Sequence, residues 1–420
     1  ELPSYYEGKT FLNTIWIGWV ENLKVYFIEP HHPRYFFDRS CFYGCDDDID
    51  RYLYFSRCAA EFLTQGRLLP DIIHIHDWQT AAIAPLYKEV LSAKAEKLAK
   101  IVFTIHNLEY QGKCAPFNID WIGLPGEKML IPEKMQDTFH PEAVNLLKGA
   151  IVYSDFVTTV SPNYAWEVKT VEGGRGLDKV IIQYQDKFMG VLNGVDYSYW
   201  NPEIDRYLPT HYSEREFPTS KKDKNTIDRK AYVKKVLRER LFLAEEHKPI
   251  VGCITRLVPQ KGIDLIKHVI LTIKEKGGQF ILLGTSPIPA INEEFHNLQQ
   301  QFRDDPSVHL VLQNQEELAH LIFAGSDLFI VPSLFEPCGL TQLIAMKYGT
   351  IPIVRKTGGL ADTVIDIDYS GLSIEETNGY TFDYPDDQGI DSALDRALHC
   401  WYNEHERFRK LMMSAMKMDF

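Results

Sequence analysis

The chain has 420 residues, 45% apolar and 25% charged, with a formal net charge of −13. That length exceeds one ordinary core and predicts two domains of a globular protein. The acidic balance argues against nonspecific binding to nucleic acid or anionic membranes, while leaving room for a local basic site that holds an anion. No apolar run reaches membrane-spanning length, and the first residues, ELPSYYEGKT, show no targeting pattern. Seven scattered cysteines fit a reducing compartment better than a disulfide framework. Cys41 and Cys45 could begin a metal site, but no second cysteine pair follows them.

Short runs rich in Val and Ile come in chain order as VYFIEP (25–30), DIIHIHD (71–77), KIVFTIHN (100–107), FVTTVSP (156–162) and FMGVLNGVD (188–196). After a break they resume as IVGCITRL (250–257), FILLGTS (280–286), VHLVLQ (308–313), LFIVPS (328–333) and IPIVRKT (351–357). Helical patterns such as WQTAAIAPLYKEVL and EELAHLIFAGS separate them. This alternation predicts an α/β protein with parallel sheets covered on both faces. The break, 201–248, is charged and weakly periodic, which predicts an exposed connector followed by a basic amphipathic helix over 228–243. The boundaries expected are therefore a first domain over 1–195, a connector and helix over 196–246, and a second domain over 247–420. A cleft between two such domains is the natural ligand site.

Nearly every run ends in polar residues, and in doubly wound sheets ligands bind outside the carboxyl ends of the strands. In ITRLVPQKGIDLI, Arg256 and Lys261 flank a Pro-Gln turn and suit a diphosphate. Alone, they also read as solvated charges at a helix start. In FEPCGLTQL, Gly339 allows close backbone approach, and the amides of Gly339, Leu340 and Thr341 could receive a phosphate at a helix start. Glu336 would then sit beside the phosphate, available for sugar hydroxyls, or else serve only as an acid favouring the helix dipole. Lys356, Thr357, Gly358 and Gly359 offer a second such turn. HIHDWQTA puts His74 and His76 on one strand face; an H-x-H pair could ligate metal, but no third ligand is evident, so a strand-end His76 facing the cleft is the better reading. HNLEYQG supplies Asn107, Tyr110 and Gln111 for sugar hydroxyls, and EGGRGL (172–177) reads as a mobile loop; for both stretches, buried polar groups of the core are the competing reading.

Taken together and in order, HDWQTA, TIHNLEYQG, TTVSPNYAWEV, EGGRGL, VLNGVDYSYWNP, ITRLVPQKGIDL, SLFEPCGLTQLIAMKYGTIPIVRKTGGLADTV and NGYTF resemble the starch and glycogen synthase family of retaining glycosyltransferases. The wording is most similar to soluble starch synthases of the type III/IV group and cyanobacterial relatives. The resemblance implies a GT-B fold of two Rossmann-like doubly wound domains. It implies transfer of glucose from ADP-glucose to the non-reducing end of an α-1,4-glucan or malto-oligosaccharide, with retention and without metal or other cofactor. It implies a bacterial cytoplasm or a plastid stroma. Arg256 and Lys261 would stabilise the departing diphosphate, and Glu336 would hold the donor glucose. Cys338, Gly339, Leu340 and Thr341 would bind the donor, His76 would lie near the anomeric carbon with Asn193 close by, and Lys356 to Gly359 would line the nucleotide side. Asn107, Tyr110 and Gln111 would meet the acceptor. No second acid stands out beside Glu336, so departure and attack on one face are expected rather than a covalent intermediate.

Three departures accompany the resemblance. The family's N-terminal Lys-x-Gly-Gly-Leu loop has no match before the second half, where KTGGL occupies 356–360. The chain also stops at MKMDF, where the family continues into a helix crossing back to the first domain, so the first strand, that loop and the final crossover helix are expected either to be absent or to lie outside this sequence. Asn314 stands where relatives often carry a Tyr that stacks on adenine, which puts base choice in question. A catalytically weak glucan-binding or granule-initiation protein, and a synthase using UDP-glucose, are the alternative readings.

Overall fold

The computed structural model describes residues 1–65, 68, 70–92, 99–217 and 228–420. The chain divides into two compact units, Glu1–Val191 and Leu192–Phe420.

In the first unit, β1 (Leu2–Tyr6), β2 (Lys9–Val20) and β3 (Leu23–Pro30) form an antiparallel sheet. This corrects the reading of 25–30 as part of a parallel sheet. The turns Glu7–Gly8 and Glu21–Asn22 have positive φ at both residues, the twist that closes a two-residue hairpin. A parallel pair would need a crossover far longer than two residues. The parallel sheet of this unit has four strands in the order β4 (Ile72–His76), β5 (Lys100–Ile105), β8 (Phe156–Thr159) and β9 (Phe188–Gly190). A small antiparallel ladder, β6 (Lys113–Cys114) with β7 (Val144–Asn145), lies between β5 and β8 in the chain. Alternate residues of β4, Ile73 and Ile75, are buried with Ile101, Phe103 and Val157, so His74 and His76 share the opposite, exposed face.

The second unit holds one six-stranded parallel sheet. Its strands are β10 (Ile250–Ile254), β11 (Gln279–Leu283), β12 (Val308–Val311), β13 (Leu328–Val331), β14 (Ile351–Arg355) and β15 (Tyr380–Phe382). β11 and β13 are buried along their whole length, as strands covered on both faces must be.

The segment expected as an exposed connector belongs instead to the second unit. Leu208, Tyr212, Phe217, Val233, Leu237 and Leu241 lie in its core, and Asn193 also falls within it. Asp205, almost fully buried, accepts hydrogen bonds from His320 Nδ1 (2.7 Å) and Tyr348 Oη (2.5 Å). Trp200 stacks on the His320 ring at 4.1 Å. The helix expected over 228–243 spans Arg229–Leu241. Its Lys230 is not on a solvated face: the ammonium is buried and donates to the carbonyls of Ala324 and Tyr348 and to Thr350 Oγ1 at 2.7–3.0 Å. Burial pushes its pKa down to about 7. Charge content hid these anchors, because a cation can enter a core when fixed carbonyls receive it. Residues 218–227 of the expected connector lie outside the described residues.

Candidate active site

The second sheet runs β12-β11-β10-β13-β14-β15. The chain starts at β10, steps outward to one edge, returns beside β10 and steps to the other edge. Ligands bind outside the strand carboxyl ends at such a reversal. ITRLVPQKG follows β10 there, and PSLFEPCG follows β13. A cavity of about 170 Å³ opens at this place, with Arg256, Lys261, Ser333, Glu336, Gly339 and Thr341 among its walls. Leu340 lines it as well.

The two turns are fastened to each other. Leu334 N donates to Gln260 O at 2.8 Å, and Gln260 Nε2 donates to Phe335 O at 3.2 Å. Gly262, at φ +68°, packs so closely that a Cβ there would stand 2.2 Å from the Pro332 carbonyl oxygen. This places Lys261 Nζ 2.5 Å from Glu336 Oε2, while Ser333 Oγ donates to the same oxygen at 2.8 Å. Glu336 and Ser333 are 7% and 1% exposed. Arg256, by contrast, is exposed and has no ion-pair partner among the described residues. The site thus presents a free guanidinium, an ammonium and a fixed carboxylate around one cavity.

The Lys356–Gly359 turn is not an open anion-binding turn, and here the structure corrects the sequence reading. Gly358 and Gly359 are buried beneath the Glu336 segment; Cβ atoms on them would stand 2.0 Å from Glu336 O and 2.2 Å from Cys338 O. The Gly359 amide donates to the carbonyls of Glu336 and Pro337, both at 3.0 Å. The glycine pair therefore holds Glu336 in place from behind. Thr357 is buried and Lys356 exposed. Cys338 is buried; burial pushes its thiol pKa up, while hydrogen bonds from the backbone and side chain of Asn193 oppose the rise. Asn314 is exposed after β12, two strands away from β10, and does not line this cavity.

The first unit gathers its polar residues at the ends of β4 and β5. His76 Nδ1 and His106 Nε2 are 3.1 Å apart, and the rings of His74 and His76 lie 4.2 Å apart. His74 Nε2 bonds to Thr104 Oγ1 at 2.7 Å, which meets Thr158 Oγ1 at 2.7 Å. Partial burial first, then the neighbouring imidazoles, hold His76 below the ordinary histidine pKa. Asp77, at φ +53°, accepts from the His106 amide at 2.7 Å and so ties the two strand ends together; burial raises its carboxyl pKa. His106 and Ser333 escaped the sequence reading, although both stand in stretches already singled out.

Of the expected acceptor residues, Tyr110 is 42% exposed and, with Gln111, lines a second cavity of about 290 Å³. Asn107 turns its Oδ1 to the Glu109 amide at 3.0 Å. Gln111 is a correction: its amide is buried and committed internally, donating to the Leu108 and Arg175 carbonyls and accepting from Asn145. The bond to Arg175 also anchors the EGGRGL loop, which closes on itself through Gly174 N to Thr170 O and Leu177 N to Gly174 O, both at 2.8 Å. Among the described residues, Cys45, Asp47 and Asp48 are the one acid, thiol or imidazole trio close enough to share an ion, and Arg39 and Arg51 already pair with those acids.

Known proteins are similar to this chain over nearly its whole length. Residues 5–183 match the starch synthase catalytic domain, and 238–411 match the glycosyl transferases group 1 domain. The chain is 66% identical to a glycogen synthase of Protochlamydia amoebophila over all 420 residues, spanning 84% of that protein. It is 48% identical to probable starch synthase 4 of Arabidopsis thaliana over its full length, and spans 40% of that longer protein. Among solved structures it is similar to the catalytic domain of starch synthase IV from A. thaliana bound to ADP and acarbose, with TM-score 0.95, 48% identity, and coverage of 100% of this chain and 83% of that one. The fold is GT-B, and the chain belongs to the starch and glycogen synthase family of glycosyltransferases.

Proposed function

We propose that this protein transfers glucose from ADP-glucose to the non-reducing end of an α-1,4-glucan, with retention of configuration and without a metal. The observation that carries the reading is the meeting of Arg256, Lys261 and Glu336 in one cavity at the reversal point of the second sheet. The diphosphate leaving group gains negative charge as the glycosidic bond breaks. Fixed cations stabilise that charge without the reorganisation that water would need. Arg256 and Lys261 take this role, and the Gly339–Thr341 backbone lies against the same phosphates. Glu336 receives hydroxyls of the donor sugar. Lys356 and Thr357 take the nucleotide side, Asn193 and Cys338 support the donor side, and Asn314 offers the base an amide in place of a stacking ring. In the first unit His76, Asn107 and Tyr110 serve the sugar and glucan.

The ADP and acarbose carried by the similar plant catalytic domain support a nucleotide-sugar donor and a glucan acceptor. All seven cysteines are free, and among the described residues no helix is long and apolar enough to cross a membrane. The bacterial and chloroplastic relatives support a bacterial cytoplasm or a plastid stroma. The test is incorporation of labelled glucose from ADP-glucose into glycogen, followed by β-amylase digestion. Label released as maltose, undiminished by chelator, is the expected result; label resistant to β-amylase would overturn the linkage or the growing end, and loss with chelator would revive a metal role.

A further inference from the structure

We infer that Ser333 is a positioning residue that locks Glu336 so that only Oε1 faces the donor sugar, an inference that rests on the role proposed above for Glu336. A glutamate carboxylate turns freely about its last bond, and its two oxygens are equivalent until donors distinguish them. Here two donors meet on one oxygen: Lys261 Nζ at 2.5 Å and Ser333 Oγ at 2.8 Å, both on Oε2. Among the described residues no donor reaches Oε1, and Glu336 lines the cavity.

The Ser333 hydroxyl is not needed to hold the local backbone. That is already fastened by Leu334 N on Gln260 O, Gln260 Nε2 on Phe335 O, and Gly359 N on Glu336 O. A serine 1% exposed has one proton to donate, and it is spent on the carboxylate. The two donors also differ in kind. Lys261 carries a compact charge on a flexible stem, which a bound diphosphate draws toward itself. Ser333 is short and sits three residues from its acceptor at the end of β13. It therefore keeps Glu336 aimed at the sugar when Lys261 turns to the phosphates.

The experiment compares Ser333→Ala, Glu336→Ala and the double variant, by radiolabelled transfer from ADP-glucose to glycogen and by ADP binding. Ser333→Ala is expected to lower kcat about 10-fold, the loss of one hydrogen bond to a charged group, while ADP affinity stays unchanged. In the Glu336→Ala background, adding Ser333→Ala is expected to lower kcat no further, because the hydroxyl acts only through that carboxylate. Wild-type kcat in Ser333→Ala beside an impaired Glu336→Ala would overturn the role of Ser333 alone. So would an equal fall in the Glu336→Ala background, or kcat and ADP binding lost together. Full turnover by Glu336→Ala would instead remove the role given to Glu336.

Discussion

Replacing Lys261 by alanine probes charge balance and catalysis at one position. Its side chain is 18% exposed and that of Glu336 9%, with 2.5 Å between the charged atoms. Without the ammonium, the carboxylate keeps only the Ser333 hydroxyl as a close donor. Stranding one partner of a fully buried pair costs about 3–5 kcal/mol; the partial exposure and the remaining hydroxyl put this case at about 2–3 kcal/mol. The same change removes one of the two cations assigned to the leaving diphosphate, for which turnover falls about 10²–10³-fold. The two effects separate in Lys261→Met combined with Glu336→Gln. Removing both charges restores most of the stability and none of the turnover. Urea unfolding and ADP release measure the pair. A Lys261→Ala protein with near-normal turnover would refute the assignment; a double variant no more stable than Lys261→Ala would refute the stranded-charge account of its instability.

Further outcomes bear on the elements that hold the site. Gly262→Ala should destabilise the second unit by roughly 2 kcal/mol or more, since the new Cβ meets a carbonyl in a backbone conformation unfavourable to alanine; an unchanged melting temperature would show that the turn adapts. His76 should titrate below the ordinary histidine range, and His106→Gln should raise its pKa by removing one neighbouring imidazole. The unfolded His76 takes up its proton at higher pH than the folded one, so this site weakens the fold as pH falls through the ordinary range. An NMR titration reads the shift, and identical curves in the two proteins would exclude the coupling. The unfolded chain also protonates Lys230 throughout the window from its usual 10.5 down to about 7, where the folded chain does not. That group's contribution to stability therefore rises with pH across the window. Lys230→Met should flatten the rise in urea midpoint, and an unaltered slope would contradict the lowered pKa of the buried Lys230 side chain.

The strand ends were legible because a parallel strand buried on both faces writes itself as a continuous apolar run that stops at polar residues. That pattern placed Arg256, Lys261 and Glu336 at the correct ends of β10 and β13. The contacts between those ends were not legible. Gln260 and Leu334 are far apart in sequence, and nothing in PQKG or SLFE announces that each caps the other. KTGG misled for the same reason: glycine permits approach by a phosphate or by another backbone, and only the fold shows the Glu336 carbonyl occupying that space. Gln111 looked available to a sugar until Asn145 and Arg175 appeared as its partners. The β1–β3 sheet was missed because its turns, Glu-Gly and Glu-Asn, are weak hairpin signals beside Asn-Gly or Asp-Gly. Lys230 and Asp205 read as surface charge because composition cannot register the carbonyls and rings that receive them.

The most direct measurement is ADP release by the purified protein from ADP-glucose, with and without glycogen, with UDP-glucose in parallel. The account predicts release that depends on glycogen and is much faster with ADP-glucose. No release from either donor, by folded protein that still binds glucan, would contradict it.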